Sequence, residues 1–245
     1  MPVLGTTSLE RTSLRDQALT AIKQALITGQ IVPGVVYSAA SLAAELGVSN
    51  SPVREAMLAL VDDGLMEAVP NRGYRPVSLT DADLAEIAQV RELLEVPAAG
   101  LAAEIGLGGR FAELSELVSF IEQSAAAGDL AGNLEADRRF HLLLVGACGN
   151  RRLTGMVARL RDQTRLYNLP ALAASGALIA SAAEHGPILD AIAAGDRAQA
   201  EALMRAHLAH ITADWSAAGE DNAAGGDNDA EGEPRSRGGA DSEPA

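Results

Sequence analysis

Short amphipathic segments separated by turn residues fill the first part of the chain. Apolar residues recur at helical spacing over residues 13–28. Ser38 can cap a second helix, which Gly47 ends. A third helix is predicted to begin with Ser51 as its N-cap and Pro52 at the first helical position. Two short helices joined by a turn at Gly47 form a helix-turn-helix.

A β-hairpin is predicted directly after the third helix. Residues 65–69 and 74–77 can form its two strands, and residues 70–73 have the composition of a turn. Three helices followed by such a hairpin are typical of a winged helix-turn-helix domain. We therefore predict a winged helix-turn-helix over residues 9–78.

Longer helical patterns without a strand signal follow. Thr80 and Asp83 have the spacing of a capping box, which begins a helix running to about Ile105 with a kink expected at Pro97. The next helices are predicted over residues 111–127, 133–148, 152–169, 188–194 and 197–215, with a break at Pro187 before the fourth of them. The pattern predicts an all-α bundle over residues 79–215, so the chain is mainly α.

The end of the chain differs from both regions. Residues 216–245 contain no Val, Ile, Leu, Met or aromatic residue and carry 8 acidic against 2 basic side chains. Such a segment cannot bury enough apolar surface to offset its ordering entropy. We predict a disordered acidic tail here, solvated and without a specific role.

The charge balance changes once it is divided along the chain. A net charge of −14 argues by itself against a nucleic-acid binder. Residues 1–78, however, carry 6 basic and 7 acidic side chains and are close to neutral. The single cysteine, Cys148, excludes a disulfide framework and favours a reducing compartment. Without a signal peptide or a bilayer-spanning stretch, the sequence predicts a cytoplasmic protein with no membrane partner.

Side chains suited to DNA lie at two places in the predicted winged domain. The third helix begins with free backbone N–H groups, and Arg54 lies in its first turn. Arg72 and Arg75 belong to the hairpin, where an arginine at the tip can enter a minor groove. The alternative is a small packing domain with a few surface arginines. The candidate DNA-binding residues are Ser49, Asn50, Ser51, Arg54, Arg72, Gly73 and Arg75.

Histidines carry the candidate chemistry of the second region. Asp137 and His141 are four residues apart on one predicted helix, so a carboxylate and an imidazole share a face and suit one metal ion. His185 lies before the predicted break, and His207 and His210 lie on the last helix. Spacing alone does not choose between the last two, and isolated histidines are the alternative. Zn²⁺, Ni²⁺ and Mn²⁺ suit such ligands.

Residues 41–75 resemble the winged-helix signature of the GntR family of bacterial transcription regulators. The matching elements are Leu42-Ala43, Gly47-Val48-Ser49, Ser51-Pro52-Val53-Arg54-Glu55-Ala56, Leu60, Gly64-Leu65 and Asn71-Arg72-Gly73. The resemblance implies binding to double-stranded operator DNA. The family often has Arg in place of Asn50 and a charged residue near Ala40, so its usual operator preference does not transfer.

Residues 81–213 resemble the FCD effector domain of the FadR subfamily of these regulators. The matching elements are Asp137-Arg138-Arg139-Phe140-His141, Gly149–Leu153, Glu184-His185, Ile188–Ile192, Gly195-Asp196 and Met204–Leu208. The resemblance implies a metal site formed by Asp137, His141, His185 and His207, with zinc as the first candidate. It places His210 outside the ligand set, as a surface residue.

The same resemblance implies a small carboxylate effector bound at the metal. Arginine suits a carboxylate because its guanidinium donates two parallel hydrogen bonds. Arg91 is the preferred contact, with a surface ion pair to Glu95 as the alternative. Arg138, Arg139 and Arg165 are secondary effector candidates, and a solvated or structural arginine is the alternative for each.

Taken together, these patterns predict a homodimeric repressor that binds an inverted-repeat operator and responds to the effector. One alternative is a metal-responsive regulator with no organic effector. A second is a metal-dependent hydrolase, in which Glu184 would act as general base. An enzyme gives no reason for the winged helix-turn-helix, so we predict a regulator without catalytic residues.

Overall fold

A computed structural model of the chain describes residues 13–164 and 176–224. The helices in these ranges are α1 (Leu14–Ile27), α2 (Ala39–Leu46), α3 (Asn50–Asp62), α4 (Asp81–Ile105), α5 (Phe111–Ala127), α6 (Leu130–Ala147), α7 (Arg151–Thr164), α8 (Ala177–Ala193) and α9 (Arg197–Ala224). The strands are β1 (Met66–Val69) and β2 (Gly73–Pro76). The mainly α fold, with a winged helix-turn-helix before a helical bundle, is confirmed.

The winged domain, α1–α3 with β1 and β2, has its own apolar core. Ser13 and Ser38 cap α1 and α2 by accepting hydrogen bonds from the backbone N–H groups of Asp16 and Ser41. Side chains from all three helices then meet in one cluster. Its most buried members are Val53, Ala56, Met57, Leu60 and Met66.

The wing is an antiparallel hairpin held against the segment before α2. Val69 pairs with Gly73 across the turn. Tyr37 and Tyr74 exchange two backbone hydrogen bonds of 2.7 and 2.9 Å, which add a short bridge to the hairpin. Gly73 has a φ of +137°, and a Cβ there would lie 2.3 Å from the Tyr37 carbonyl oxygen. The close approach of the wing therefore requires glycine.

The start of α3 differs from the sequence prediction. Ser49, not Ser51, is the N-cap, and the helix begins at Asn50. Pro52 consequently occupies the third helical position rather than the first. This is tolerated because backbone N–H groups of the first turn have no partner within the helix. The hydroxyl of Ser51 instead donates to Glu55 over 3.1 Å.

Helix α4 is the central element of the bundle, the helical domain formed by α4–α9. The expected capping box is present, since Thr80 and Asp83 each accept from the other's backbone N–H. Helix α4 packs along α9 and also contacts α6, α7 and α8. The core between these helices is aliphatic apart from one phenylalanine. Its fully buried members include Leu114, Phe140, Leu144, Ile188, Ile192 and Met204.

Pro187 does not interrupt its helix, so the predicted break was wrong. Helix α8 runs continuously from Ala177 to Ala193 with the proline inside it. Leu178 before the proline and Ile192 after it are buried in the same core. Packing on both sides compensates for the backbone hydrogen bond that a proline cannot donate.

Helix α9 continues to Ala224, past the predicted end at Trp215. Residues 216–224, which we assigned to the tail, therefore belong to the helix, because alanine-rich sequence favours helix even without apolar anchors. The remainder of the predicted tail, 225–245, lies outside the described residues, as does the end of the helix predicted up to residue 169.

The boundary between the two domains at residue 78 stays a prediction. Each helix in the described ranges is too short or too polar for a transmembrane span.

Candidate metal centre and DNA interface

The structure brings together the four side chains predicted as metal ligands. Asp137 and His141 come from α6, His185 from α8 and His207 from α9, and one ligand atom of each lies within 4.8 Å of the others. All three imidazoles are buried. His141 and His207 stack with an interplanar angle of 17°, and Phe140 meets His185 edge-on. His210 is exposed and lies outside this cluster.

His185 is oriented by its own helix. Its Nδ1 lies 3.1 Å from the carbonyl oxygen of Ser181, which can only accept, so Nδ1 is the donor in this contact. Its Nε2 faces Oδ1 of Asp137, 3.1 Å away. A carboxylate oxygen only accepts, so this distance calls for either a proton on Nε2 or a cation between the two atoms.

His207 is oriented by a carboxylate. Its Nδ1 lies 2.7 Å from Oε2 of Glu184. Burial lowers the pKa of His207 to about 4, even though Glu184 opposes that shift, so the ring is neutral near pH 7. With its proton on Nδ1, the ring directs Nε2 into the cluster, where this buried atom has no hydrogen-bond partner among the described residues.

His141 has a similar arrangement around a different carboxylate. Its Nδ1 lies 3.1 Å from Oε2 of Glu95, although the ring is not aligned for a hydrogen bond. Its Nε2 faces Oδ1 of Asp137 at 3.7 Å. Burial and the charge of Arg161 lower the pKa of His141 well below its ordinary value. Each of the three rings thus turns Nδ1 toward an outer acceptor and Nε2 inward, the orientation usual for metal-binding histidines.

Asp137 divides its two oxygens between the cluster and an arginine. Oδ1 faces the imidazoles, while Oδ2 accepts a 2.9 Å hydrogen bond from Arg161. Burial raises the pKa of Asp137, but the charge of Arg161 and the contact with His185 outweigh it and hold the pKa well below its usual range. The carboxylate is therefore ionised and has one oxygen directed at the rings.

Three residues that orient the cluster were missed as site residues in the sequence. Glu95 is fully buried and accepts from Arg161 over 2.6 and 2.9 Å. Arg161 itself carried no signal, because it lies in a helix with several other arginines. Glu184 was considered only as a general base, yet it links His207 to His210 through its two oxygens. Its position next to a histidine was the available signal.

The predicted effector arginines lie in three different places. Arg91 donates to Glu95 over 2.8 Å, so the ion pair given as the alternative is present, but it is buried rather than at the surface. Its Nη2 is buried without a hydrogen-bond partner in the described part of the chain. Arg138 pairs with Asp162, outside the histidine cluster, over 2.5 Å. Arg139 forms an exposed pair with Glu113. Arg165 lies outside the described residues.

The predicted DNA contacts lie at the start of α3 and on the wing. Ser49, Asn50, Ser51 and Arg54 are exposed there. Unlike the N-caps of α1, α2 and α4, Ser49 makes no side-chain capping hydrogen bond within the described chain.

On the wing, Arg72 is exposed beside the turn residue Asn71, whose φ is +59°. Arg75 is paired with Glu67 across the hairpin. Gly73 contributes backbone geometry, as its contact with Tyr37 shows.

Both halves of the chain match known families. Residues 14–75 match the bacterial regulatory proteins of the gntR family, and residues 86–210 match the FCD domain. The chain belongs to the GntR family and carries an FCD domain. This combination fits the FadR type of GntR regulator.

Named relatives of this GntR protein are regulators. It is 32% identical over 202 residues to a probable D-xylose utilization operon transcriptional repressor of Paenarthrobacter nicotinovorans, covering 82% of the chain and 88% of the relative. It is 32% identical over 140 residues to the HTH-type transcriptional regulator McbR of Escherichia coli, covering 57% of the chain but only 63% of that relative. The solved structure of E. coli McbR/YncC superposes with a TM-score of 0.74 at 25% identity, covering 86% of this chain and all of that one (100%).

These matches decide the class of function. The protein is a DNA-binding transcription regulator of the GntR family, and its relatives are regulators rather than enzymes. The prediction of a regulator is thereby confirmed, and the hydrolase alternative has no support among them. The cluster of Asp137 with three histidines is one that a metal ion fits.

Proposed function

We propose that this regulator is a repressor whose affinity for its operator DNA responds to a small carboxylate bound at a divalent metal ion. The ligands would be Asp137, His141, His185 and His207. The observation that carries the proposal is the 3.1 Å approach of His185 Nε2 to Asp137 Oδ1, which places an imidazole nitrogen and a carboxylate oxygen where one cation can bind both. The inward Nε2 of His207, buried and unpartnered among the described residues, supports the same conclusion.

The donor set suits a borderline metal ion. Three imidazole nitrogens and one carboxylate oxygen match Zn²⁺ best, and Ni²⁺ and Mn²⁺ are compatible with them. Glu95 and Glu184 would hold His141 and His207 in place. A bound metal would polarise effector oxygens as a Lewis acid, and a carboxylate is the natural ligand for a position left open by these four residues.

Arg91 is the arginine best suited to hold the effector. Its Nη2 is a buried donor without a partner in the described chain, and such a group costs free energy until an acceptor reaches it. Arg91 also shares Glu95 with Arg161, which places it in the same buried network as His141. The guanidinium of Arg138 is already engaged by Asp162, so it is the weaker candidate.

The DNA contacts would come from Ser49, Asn50, Ser51, Arg54, Arg72 and Arg75, with Gly73 shaping the wing. Two copies would place their α3 helices in successive major grooves of an inverted repeat, which makes a homodimer the expected form. We propose repression rather than activation of transcription, because the relative from Paenarthrobacter nicotinovorans is named a probable repressor. Only a ligand with different affinity for two arrangements of the protein can alter DNA binding.

The experiment is a fluorescence-anisotropy titration of the intergenic DNA upstream of the gene. It is run with EDTA, with Zn²⁺, and with Zn²⁺ plus a panel of small mono-, di- and tricarboxylates. We expect tight binding in the absence of acid and release by at least one acid only when Zn²⁺ is present. Release by an acid in EDTA would contradict the metal-bound effector. A Zn²⁺ effect without any acid effect would instead favour the metal-responsive regulator.

A further inference from the structure

Three consecutive residues at the end of α7 reach three different parts of the molecule. Arg161 donates to Asp137 of the histidine cluster over 2.9 Å. Asp162 accepts from Lys23 of α1 over 2.9 Å. Gln163 donates to the backbone carbonyl of Asp63, the C-cap residue of α3, over 3.0 Å. A single helical turn thus contacts the candidate metal centre and two helices of the winged domain.

Two ion pairs between α6 and α7 run side by side. Asp137 pairs with Arg161, and the next residue of each helix forms the second pair, Arg138 with Asp162. The first pair faces the histidines, whereas the second includes Lys23 of the winged domain. Because the paired residues are neighbours in sequence, a shift of one pair moves the backbone that carries the other.

The contact between Asp162 and Lys23 of α1 is partly buried. Asp162 exposes only 8% of its side chain and Lys23 exposes 28%. Burial raises the pKa of Asp162, but the hydrogen bond from Arg138 and the charges of Arg138 and Lys23 outweigh it and lower the pKa below its usual value. Screening by solvent is weaker here than for a surface pair, so the contact can orient the winged domain.

The contact with α3 depends on a glycine. A Cβ at Gly64 would lie 2.3 Å from Nε2 of Gln163, so a side chain there would push the amide aside. Gly64 also has a φ of +73°, which ends the turn after α3. Helix α7 can therefore approach the end of the helix whose other end reads DNA.

We propose that residues 161–163 form a coupling segment that transmits the state of the metal centre to α1 and α3. Without a cation in the cluster, Arg161 is the principal positive partner of Asp137. A divalent cation held by the four ligands would compete for the charge of that carboxylate, so the Arg161 contact would weaken and the turn that carries Asp162 and Gln163 would shift. Lys23 and Gln163 are positioning residues in this mechanism. The inference rests on the proposed metal centre.

The test is amide hydrogen exchange of the full chain with and without Zn²⁺. The variants are Lys23→Met and Gln163→Ala, with Lys23→Arg as the conservative replacement. Arg15→Met is the matched control, because Arg15 is also a cation of α1 but pairs with Asp16 of the same helix. We expect Zn²⁺ to change exchange of α1 and of the end of α3 by about fivefold or more in the wild type, the lower end of typical coupling.

Loss of that change in Lys23→Met and Gln163→Ala, but not in Arg15→Met or Lys23→Arg, is the result expected. Calorimetric titration with Zn²⁺ should give the same affinity for all of them. Equal exchange responses in the wild type and in both loss variants, with Zn²⁺ bound, would overturn the coupling segment alone. Absence of Zn²⁺ binding to the wild type would overturn the metal centre and, with it, this inference. Gln163→Ala keeps the test decisive if Lys23→Met does not fold.

Discussion

His207 and His210 lie on one face of α9 and hold the same carboxylate, Glu184, yet they have opposite environments. His207 is fully buried, and its second nitrogen points into the histidine cluster, whereas the side chain of His210 is 65% exposed. Both rings present Nδ1 to a Glu184 oxygen. Comparing variants of these two histidines therefore distinguishes the loss of a metal ligand from the loss of an imidazole that only pairs with Glu184.

Replacing His207 should abolish tight metal binding. We expect His207→Asn to weaken Zn²⁺ binding by more than about 100-fold, because losing an outer partner alone typically costs about 10–100-fold and this change removes a ligand. His210→Asn should change the affinity by less than about threefold. Competition with a chromophoric chelator measures both. Equal losses in the two variants would show that Glu184, not the inward nitrogen of His207, determines the affinity.

The outer carboxylate should matter in its own right. Glu184→Ala leaves the Nδ1 of His207 without its acceptor, so the ring is free to rotate or change tautomer, and we expect Zn²⁺ affinity to fall about 10-fold or more. Glu201→Ala on α9, the helix of His207, removes a carboxylate that pairs only with exposed Arg197 among its described contacts, and it serves as the control. Unchanged affinity in Glu184→Ala, measured by the same competition, would remove Glu184 from the site.

Stability without metal should fall in mild acid. The pKa of His207 is about 4 in the folded chain against 6.5 for an ordinary histidine, so the unfolded chain binds the proton first. Stability is therefore complete above pH 6.5 and declines as the pH falls toward 4, by at most roughly 3 kcal/mol from this group. Urea unfolding in EDTA from pH 7 to 4 measures it. His207→Asn should flatten the slope relative to the wild type, and His210→Asn should not.

The sequence predicted part of the candidate site because that part is local. Asp137 and His141 share a helix face at four-residue spacing, which periodicity reveals. The choice of His207 over His210 came from the family resemblance, since their spacing allows either to face inward. The structure places His207 in the cluster and His210 outside it.

The supporting network could not be predicted in the same way. Arg91 and Glu95 have the spacing of an exposed helix pair, and the packing of other helices against α4 buries them. Their partner Arg161 lies 66 positions after Glu95 in the sequence. The continuity of α8 across Pro187 has a similar origin. Local propensity predicted a break, and apolar packing on both sides of the proline prevented one.

The N-cap of α3 should contribute to DNA binding rather than to stability. Ser38 caps α2 through its hydroxyl, so Ser38→Ala should cost about 1 kcal/mol of unfolding free energy. Ser49 makes no such bond in the described chain, so Ser49→Ala should cost much less. If its hydroxyl contacts a phosphate or base, Ser49→Ala should nevertheless weaken operator binding about 5-fold or more, a typical value for one lost hydrogen bond. Anisotropy titrations measure operator affinity and urea titrations measure stability for both variants. Ser38→Ala should mainly lower stability, and Ser49→Ala should mainly lower operator affinity. A Ser49 variant that loses stability but binds DNA normally would contradict it.

The wing should depend on Gly73 for its position. Gly73→Ala places a Cβ 2.3 Å from the Tyr37 carbonyl and forces a residue into a φ of +137°, so the two-bond bridge between Tyr37 and Tyr74 must open. We expect a loss of about 2 kcal/mol in the free energy of unfolding, together with weaker operator binding as Arg72 moves with the wing. Gly109→Ala is the control, since a Cβ there meets nothing within 4 Å and its φ is not positive. It should change stability by less than about 0.5 kcal/mol. Operator affinity that survives Gly73→Ala at full strength would mean that the wing does not reach the DNA.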